Sequence, residues 1–287
     1  MDVLESSVPE SILWDDWHAI AEWETVAGMG RLGTVLFGRP LVVTLDGEGV
    51  MVAHAGGGAL PGRLKYGYVW TCLGTPQRDI IDFPEAAETD RYVAPAGSIG
   101  IAVSGLRAVE NFLDLAHLPF VHRGSLGDAS VTEVPDYTVT VADDGVTVTD
   151  VRAYQPVASP TATEEMLVDY RYDVLRPYTV ALRKTNPIQR SRFDALALMV
   201  QPVNEERCVL HMLDLYLKEG DRDESAREFT RFIQSQDKPI LENQKPRRLP
   251  LDPRAEIPVR SDASSLAYRR WLRRHGVRYG AVPENKP

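Results

Sequence analysis

The sequence has 287 residues, of which 44% are hydrophobic and 25% charged, with a net charge of −9 and a pI near 5.2. This length suffices for one large domain or two modest ones. The acidic balance argues against nucleic-acid binding, which depends on a high density of Lys and Arg. No apolar run is long enough to span a bilayer, and the acidic N-terminus lacks the apolar core of a signal peptide. We therefore predict a cytoplasmic protein.

The first part of the chain predicts a small β domain. A short helix is expected over residues 12–22, followed by strands over 31–53 with a hairpin turn at Asp46-Gly47. Residues 54–63 are rich in Gly and Pro and predict no regular element. Strand character returns in the stretch YGYVWTCLG. A proline-bounded connector follows this stretch.

The connector divides the chain into a predicted domain of residues 1–83 and a second of residues 84–287. In the second domain we expect a helix over 108–122, which Pro119 ends or kinks. Alternating patterns then predict antiparallel strands over 137–154 and 166–217.

A long helix is predicted after these strands. Asp237 lies on its apolar stripe, where an unpaired acid is costly. The other stripe residues are Phe229, Phe232, Ile233, Ile240 and Leu241. The economical arrangement is an α+β fold in which a curved antiparallel sheet wraps on this long C-terminal helix.

The stretch ENFLDLAHLPFVHRGSLGD places His117 and His122 in an apolar context. Five residues in a regular helix do not share a face, but Pro119 loosens the turn between them, so that both imidazoles can reach one point. Burying two imidazoles costs several kcal/mol unless they are hydrogen-bonded or metal-bound. The alternatives are therefore a metal site and a buried helix with satisfied polar groups.

A carboxylate from Asp237 would complete the two-histidine, one-carboxylate set of non-heme Fe(II) oxygenases. The alternative is a helix that frays at Asp237 because Pro239 follows. Asp114, three residues before His117, can accept a hydrogen bond from the ring nitrogen that does not bind metal. Otherwise Asp114 is a surface acid.

The stretch NFLDLAHLPFVH resembles the Asn-x-x-Asp-x-x-His-x4-His signature of Rieske non-heme iron oxygenases, and SQDKPILENQKP resembles their carboxylate-ligand segment. Within the family the similarity favours the O- and N-demethylases, including the methylxanthine N-demethylases. The resemblance implies a helix-grip-like catalytic domain with Fe(II) on His117, His122 and Asp237. It further implies that Asp114 links the iron to a cluster electronically and that Asn111 lies beside the site.

The sequence departs from the family at its [2Fe–2S] cluster, which needs Cys-x-His and Cys-x-x-His motifs. The two cysteines, Cys72 and Cys208, belong to neither motif. Residues 1–83 therefore resemble a truncated Rieske-type β domain. Electrons would have to come from a separate Rieske [2Fe–2S] protein or a Rieske-containing reductase, with NAD(P)H used only by that reductase.

The resulting expectation is a cluster-less terminal oxygenase that hydroxylates a small organic substrate with O₂. Demethylation with release of formaldehyde is implied by the resemblance, with N-demethylation favoured over O-demethylation. Candidate polar contacts in the substrate pocket are Asn204 and His211, and a trimer or a mixed oligomer with a cluster-bearing homologue is expected. Two alternatives stay open: a non-catalytic partner subunit and a redox-neutral metal hydrolase.

Overall fold

The computed structural model describes residues 8–283, except 48, 160, 161, 163 and 219–222. Its architecture confirms the predicted α+β class, with antiparallel sheets and a long helix towards the C-terminus. Among the described helices, none combines the length and the apolar character needed to cross a membrane.

Two small antiparallel sheets are built from the N-terminal part of the chain. Their strands are β1 (His18–Glu22), β2 (Arg31–Leu36), β3 (Arg39–Asp46), β4 (Gly49–His54), β5 (Ala59–Leu60), β6 (Gly62–Lys65) and β7 (Tyr68–Thr71), accompanied by helices α1 (Ser11–Trp14) and α2 (Trp23–Met29). The strand orders are β2-β3-β4-β5 and β1-β7-β6. The predicted hairpin at Asp46 is confirmed, since Asp46 pairs with Gly49 and its Oδ1 accepts the Gly49 amide at 2.8 Å.

Two predictions for this region are wrong. The opening helix ends at Trp14, and His18–Glu22 is a strand whose side chains are almost all buried because β1 pairs with β7 and is covered on both faces. The Gly-rich segment 54–63 holds β5 and the start of β6. Pairing of the backbone with neighbouring strands stabilises these two strands, and local composition does not reveal such pairing.

A seven-stranded antiparallel sheet forms the larger part of the fold. Its strands are β8 (Arg91–Ile101), β9 (Thr138–Val141), β10 (Val146–Gln155), β11 (Met166–Arg176), β12 (Thr179–Thr185), β13 (Phe193–Asn204) and β14 (Arg207–Leu217), in the order β8-β14-β13-β12-β11-β10-β9. The predicted strands over 137–154 and 166–217 are confirmed. Bulges interrupt several ladders, for example between Val148 and Val151, and such bulges bend a sheet.

The helices of this part are α3 (Gly105–Leu113), α4 (Leu118–Val121), α5 (Asp223–Asn243) and α6 (Ala263–Arg274), with 3₁₀ turns at Pro84–Ala87 and Arg260–Asp262. The single helix predicted over 108–122 is thus two helices. Asp114 has an extended backbone (φ −78°, ψ 132°) and ends α3. Pro119 lies in the first turn of α4, where its missing amide hydrogen costs nothing, so it helps to start a helix and does not end one.

Helix α5 contains Pro239 and continues to Asn243, so it does not fray at Asp237. Leu241 is buried as predicted, but Phe232 and Ile240 are 50% and 44% exposed, so their inward placement is wrong. The strands of the two small sheets end at Thr71, and those of the large sheet begin at Arg91. The domain division after residue 83 stays a prediction.

Candidate metal centre

The short helix α4 brings the two predicted histidines together. His117 precedes the single turn of α4 and His122 follows it. Because this helix is so short, the two rings return to the same side of the chain, and their Nε2 atoms lie 3.2 Å apart. His122 is buried and the His117 side chain is 12% exposed.

Asp237 on α5 reaches the same point from the opposite side. Its Oδ1 lies 3.2 Å from His122 Nε2 and 3.5 Å from His117 Nε2. This oxygen is buried and accepts no hydrogen bond from the described residues. A buried carboxylate oxygen without a donor is costly, so the position calls for a positive partner.

The outer nitrogen of each imidazole is held by a hydrogen-bond acceptor. His117 Nδ1 lies 3.1 Å from Oδ2 of Asp114, and His122 Nδ1 lies 2.9 Å from Oε1 of Gln236. An ionised carboxylate only accepts hydrogen bonds, and so does an amide oxygen, so each neutral ring carries its proton on Nδ1. Both Nε2 atoms then direct lone pairs at each other and at Asp237.

Three electron-pair donors therefore converge with no proton between them, which is repulsive unless a cation lies there. Donors about 2.1 Å from one cation are about 3.0 Å apart at adjacent octahedral positions and about 3.4 Å apart in a tetrahedron. The observed edges of 3.2–3.5 Å fit that size. Two imidazoles and one carboxylate, with the other positions open, form the donor set of non-heme Fe(II) oxygenases.

Asp114 and Asn111 lie between this centre and a groove on the outer side. Both line the cavity in front of the donors and also this outer groove, of about 860 Å³. Burial alone would raise the pKa of Asp114, but the His117 ring and backbone amides bonded to the carboxylate outweigh burial and lower the pKa. Asp114 is thus an ionised acceptor that bonds His117 and is reachable from the groove.

The cavity in front of the donors encloses about 830 Å³ of space between protein atoms, part of which is open to solvent. Apolar side chains from the sheet and from α5 cover most of its wall. They are Leu182, Leu196, Leu198, Leu210 and Met212 from the sheet, and Phe229, Ile233 and Leu241 from α5. Such a lining favours a largely apolar molecule.

The predicted pocket residues Asn204 and His211 do not line this cavity. Asn204 is exposed at the end of β13, where its Oδ1 accepts the Glu206 amide. On β14 the cavity is lined by Leu210 and Met212, so His211 between them points to the opposite face. There its ring nitrogens contact Ser98 and Gln201, and burial lowers the pKa of His211 to about 3.

Sequence reasoning missed Gln236 and Lys184. Gln236 directly precedes the predicted ligand Asp237, and that adjacency was its only signal. Lys184 is the third inward residue of β12, after Val180 and Leu182, and it lines the cavity. A lysine in register with two apolar inward residues is the pattern that would have identified it.

Comparison with known proteins finds a matching domain family and several relatives. Residues 102–277 match the domain family described as the vanillate O-demethylase oxygenase C-terminal domain. The chain is 42% identical over 276 residues to a probable methylxanthine N7-demethylase, NdmC, of Pseudomonas sp. (strain TJI-51), which covers 95% of this chain and 98% of that protein. It is 26% identical over 216 residues to the methylxanthine N3-demethylase NdmB of Pseudomonas putida, covering 73% and 58%. The solved structure of Pseudomonas putida CBB5 NdmA with caffeine superposes with a TM-score of 0.74 at 19% identity, covering 92% of this chain and 91% of that one.

Proposed function

The chain belongs to the Rieske oxygenase family as a terminal oxygenase that lacks the cluster, and on this premise we propose that it is an Fe(II)-dependent methylxanthine N-demethylase. The observation that carries the proposal is the convergence of His117, His122 and Asp237 at the floor of an apolar cavity. The substrate class follows the relatives, which are named as methylxanthine demethylases.

Iron bound by these three side chains would supply the reduction of O₂ and the hydroxylation of a methyl C–H bond. One oxygen atom enters the N-methyl group and the other leaves as water, which consumes two electrons and two protons. The resulting N-hydroxymethyl group is a hemiaminal. It loses formaldehyde and leaves an N–H group.

The side chains around the centre hold the donors and exclude water. Asp114 and Gln236 fix the ring orientations of His117 and His122, so that each presents its lone pair at Nε2. The apolar wall of the cavity would exclude water from the methyl group and orient a flat ring system against it.

Electrons must come from another protein, because the two cysteines of this chain do not supply Rieske ligand motifs. We place the donor at the outer groove. Asp114 is reachable there and bonds His117 on its inner side. The donor would be a Rieske protein or a reductase that carries a Rieske domain. A trimer or a mixed oligomer with a cluster-bearing homologue stays a prediction.

Anaerobic reconstitution followed by an assay for formaldehyde tests this function. We expect about one Fe(II) per chain and release of formaldehyde from 7-methylxanthine when O₂, NADH and a Rieske-containing reductase are present. Asp237→Ala should lose both the iron and the activity. Glu228→Ala, which removes an exposed carboxylate from the same helix, should keep both.

The other outcomes separate the alternatives. Iron binding that is unchanged in Asp237→Ala would overturn the proposed ligand set. Stoichiometric iron without formaldehyde would favour the non-catalytic subunit. Turnover of a substrate without O₂ or reductant would favour the redox-neutral hydrolase.

A further inference from the structure

The sheet wall of the cavity ends in a polar row. Cross-strand pairing places Tyr170, Lys184 and Asp194 side by side, because Lys184 pairs with Tyr170 on one side and with Asp194 on the other. The next row on the same face is Tyr172, Leu182, Leu196 and Asp214. The polar row therefore lies next to the leucines of the cavity wall, and the buried carboxyl group of Asp214 stands at the end of the second row.

Helix α5 gives the distance of this polar row from the metal centre. The Nζ atom of Lys184 lies 5.9 Å from the ring centroid of Phe229, which is eight residues before Asp237. Eight residues of α-helix rise about 12 Å. Lys184 is thus at the far end of the cavity from the iron donors. A molecule with one end at the metal meets the ammonium group with its other end.

Lys184 is a buried cation on the cavity wall, since it is 4% exposed. Its Nζ donates to the carbonyl of Ala158 at 2.6 Å and lies 5.8 Å from the ring centroid of Tyr216. These contacts hold the ammonium group in place at the end of a lining that is otherwise mostly apolar. An ammonium group has three donors and no acceptor, so it favours an oxygen or an anionic nitrogen on a ligand.

We propose that Lys184 selects substrates that carry an oxo acceptor at the end of the ring system remote from the methyl group. This inference rests on the proposed N-demethylase function and specifies its substrate. In 7-methylxanthine, the C2 carbonyl lies across the fused rings from N7. With the N7-methyl group at the metal, that carbonyl points to Lys184. A purine without the C2 oxygen leaves the buried ammonium group without this acceptor.

Binding of two probes to the full chain tests the inference. Calorimetry under nitrogen, with one Fe(II) added per chain, compares 7-methylxanthine with 7-methylhypoxanthine, in which a C2–H group replaces the C2 carbonyl and N3 carries no hydrogen. We expect wild type to bind the xanthine about 10- to 100-fold more tightly, the range of a hydrogen bond to a charged group. Lys184→Met should remove this preference. Lys218→Met, which changes an exposed lysine next to β14, should keep it.

Each outcome of the binding experiment supports or overturns the proposed role of Lys184. A preference that is absent from wild type, or one that persists in Lys184→Met, overturns it. Equal binding of both probes in wild type suffices for this, even where Lys184→Met does not fold. The proposed function is decided separately. A preference for the xanthine that Lys184→Met removes, in a wild type that releases no formaldehyde, supports the role of Lys184 and overturns the demethylase activity.

Discussion

The two ring nitrogens of His122 have different tasks, and Gln236 determines which of them carries the proton. Its Oε1 accepts from His122 Nδ1 at 2.9 Å, which leaves Nε2 free to bind a metal. Partners of this kind change metal affinity by about 10- to 100-fold when they are removed. Gln236→Ala should therefore weaken Fe(II) binding by about that factor, as measured by anaerobic competition with a metal-binding dye.

Two further variants make this test specific. Gln236→Glu retains an oxygen acceptor at the same position and should restore most of the affinity. Ser235→Ala changes the exposed neighbour, whose hydroxyl bonds only the Phe232 carbonyl among its described contacts, and should bind iron like wild type. Equal affinity of Gln236→Ala and wild type would show that the tautomer is fixed by another group.

At the scale of the element, α5 shows how many of its cavity-facing residues can be predicted from the sequence pattern. The residues that face the cavity along it are Phe229, Thr230, Ile233, Gln234, Asp237 and Leu241, a helical stripe of which three members are polar. A search for apolar residues finds Phe229, Ile233 and Leu241 of this stripe but adds the exposed Phe232 and Ile240. Asp237 was nevertheless predicted as a site residue, because an acid among apolar helix positions is costly unless it is paired or bound to a cation.

Strands β1 and β14 show what the sequence could not supply. Whether His18–Glu22 forms a helix or a strand depends on pairing with β7, some fifty residues away in the chain. The side of the sheet that His211 faces depends on register, since a shift of one residue exchanges the two faces. By contrast, the spacing of Asp114, His117 and His122 is local, and it was sufficient to predict that these side chains meet.

Strand β14 also carries a buried acid that couples stability to pH. Burial raises the pKa of Asp214 to about 7, although the Thr230 hydroxyl and the charge of Lys184 lower it. The unfolded value is about 3.9. Between these two pKa values the folded state binds more protons than the unfolded state. The contribution of Asp214 to the free energy of unfolding is therefore lost as the pH rises from 4 to 7. The loss is at most about 4 kcal/mol.

Asp214→Asn removes this titration. Relative to wild type, the variant should gain stability progressively between pH 4 and 7 and keep a constant difference above that range. Urea unfolding at several pH values measures it. His211 acts in the opposite direction, because its lowered pKa costs stability as the pH falls below about 6.5. That contribution is common to both proteins and cancels in the difference. A difference that does not vary with pH would contradict the raised pKa.

At the scale of the whole molecule, hydrogen bonds join the small sheets to the large one. The Tyr68 hydroxyl donates to the Met212 carbonyl at 2.6 Å, and Gln201 Nε2 donates to the Val35 carbonyl at 2.8 Å. The backbone amide of Phe37 donates to the Pro202 carbonyl at 2.8 Å. Buried residues of both parts also belong to one continuous hydrophobic core. These links couple the two predicted domains energetically.

We therefore expect the full chain to unfold in one thermal transition, although its sequence divides near residue 83. Calorimetry should give equal calorimetric and van't Hoff enthalpies. Tyr68→Phe removes one buried hydrogen bond, worth about 1 kcal/mol, and should lower the midpoint of that single transition by about 2 °C. Two separate transitions, of which Tyr68→Phe shifts only one, would instead establish residues 1–83 and 84–287 as independent folding units. A single transition that moves as a whole means that the two small sheets stabilise the face of the large sheet that lies opposite the cavity.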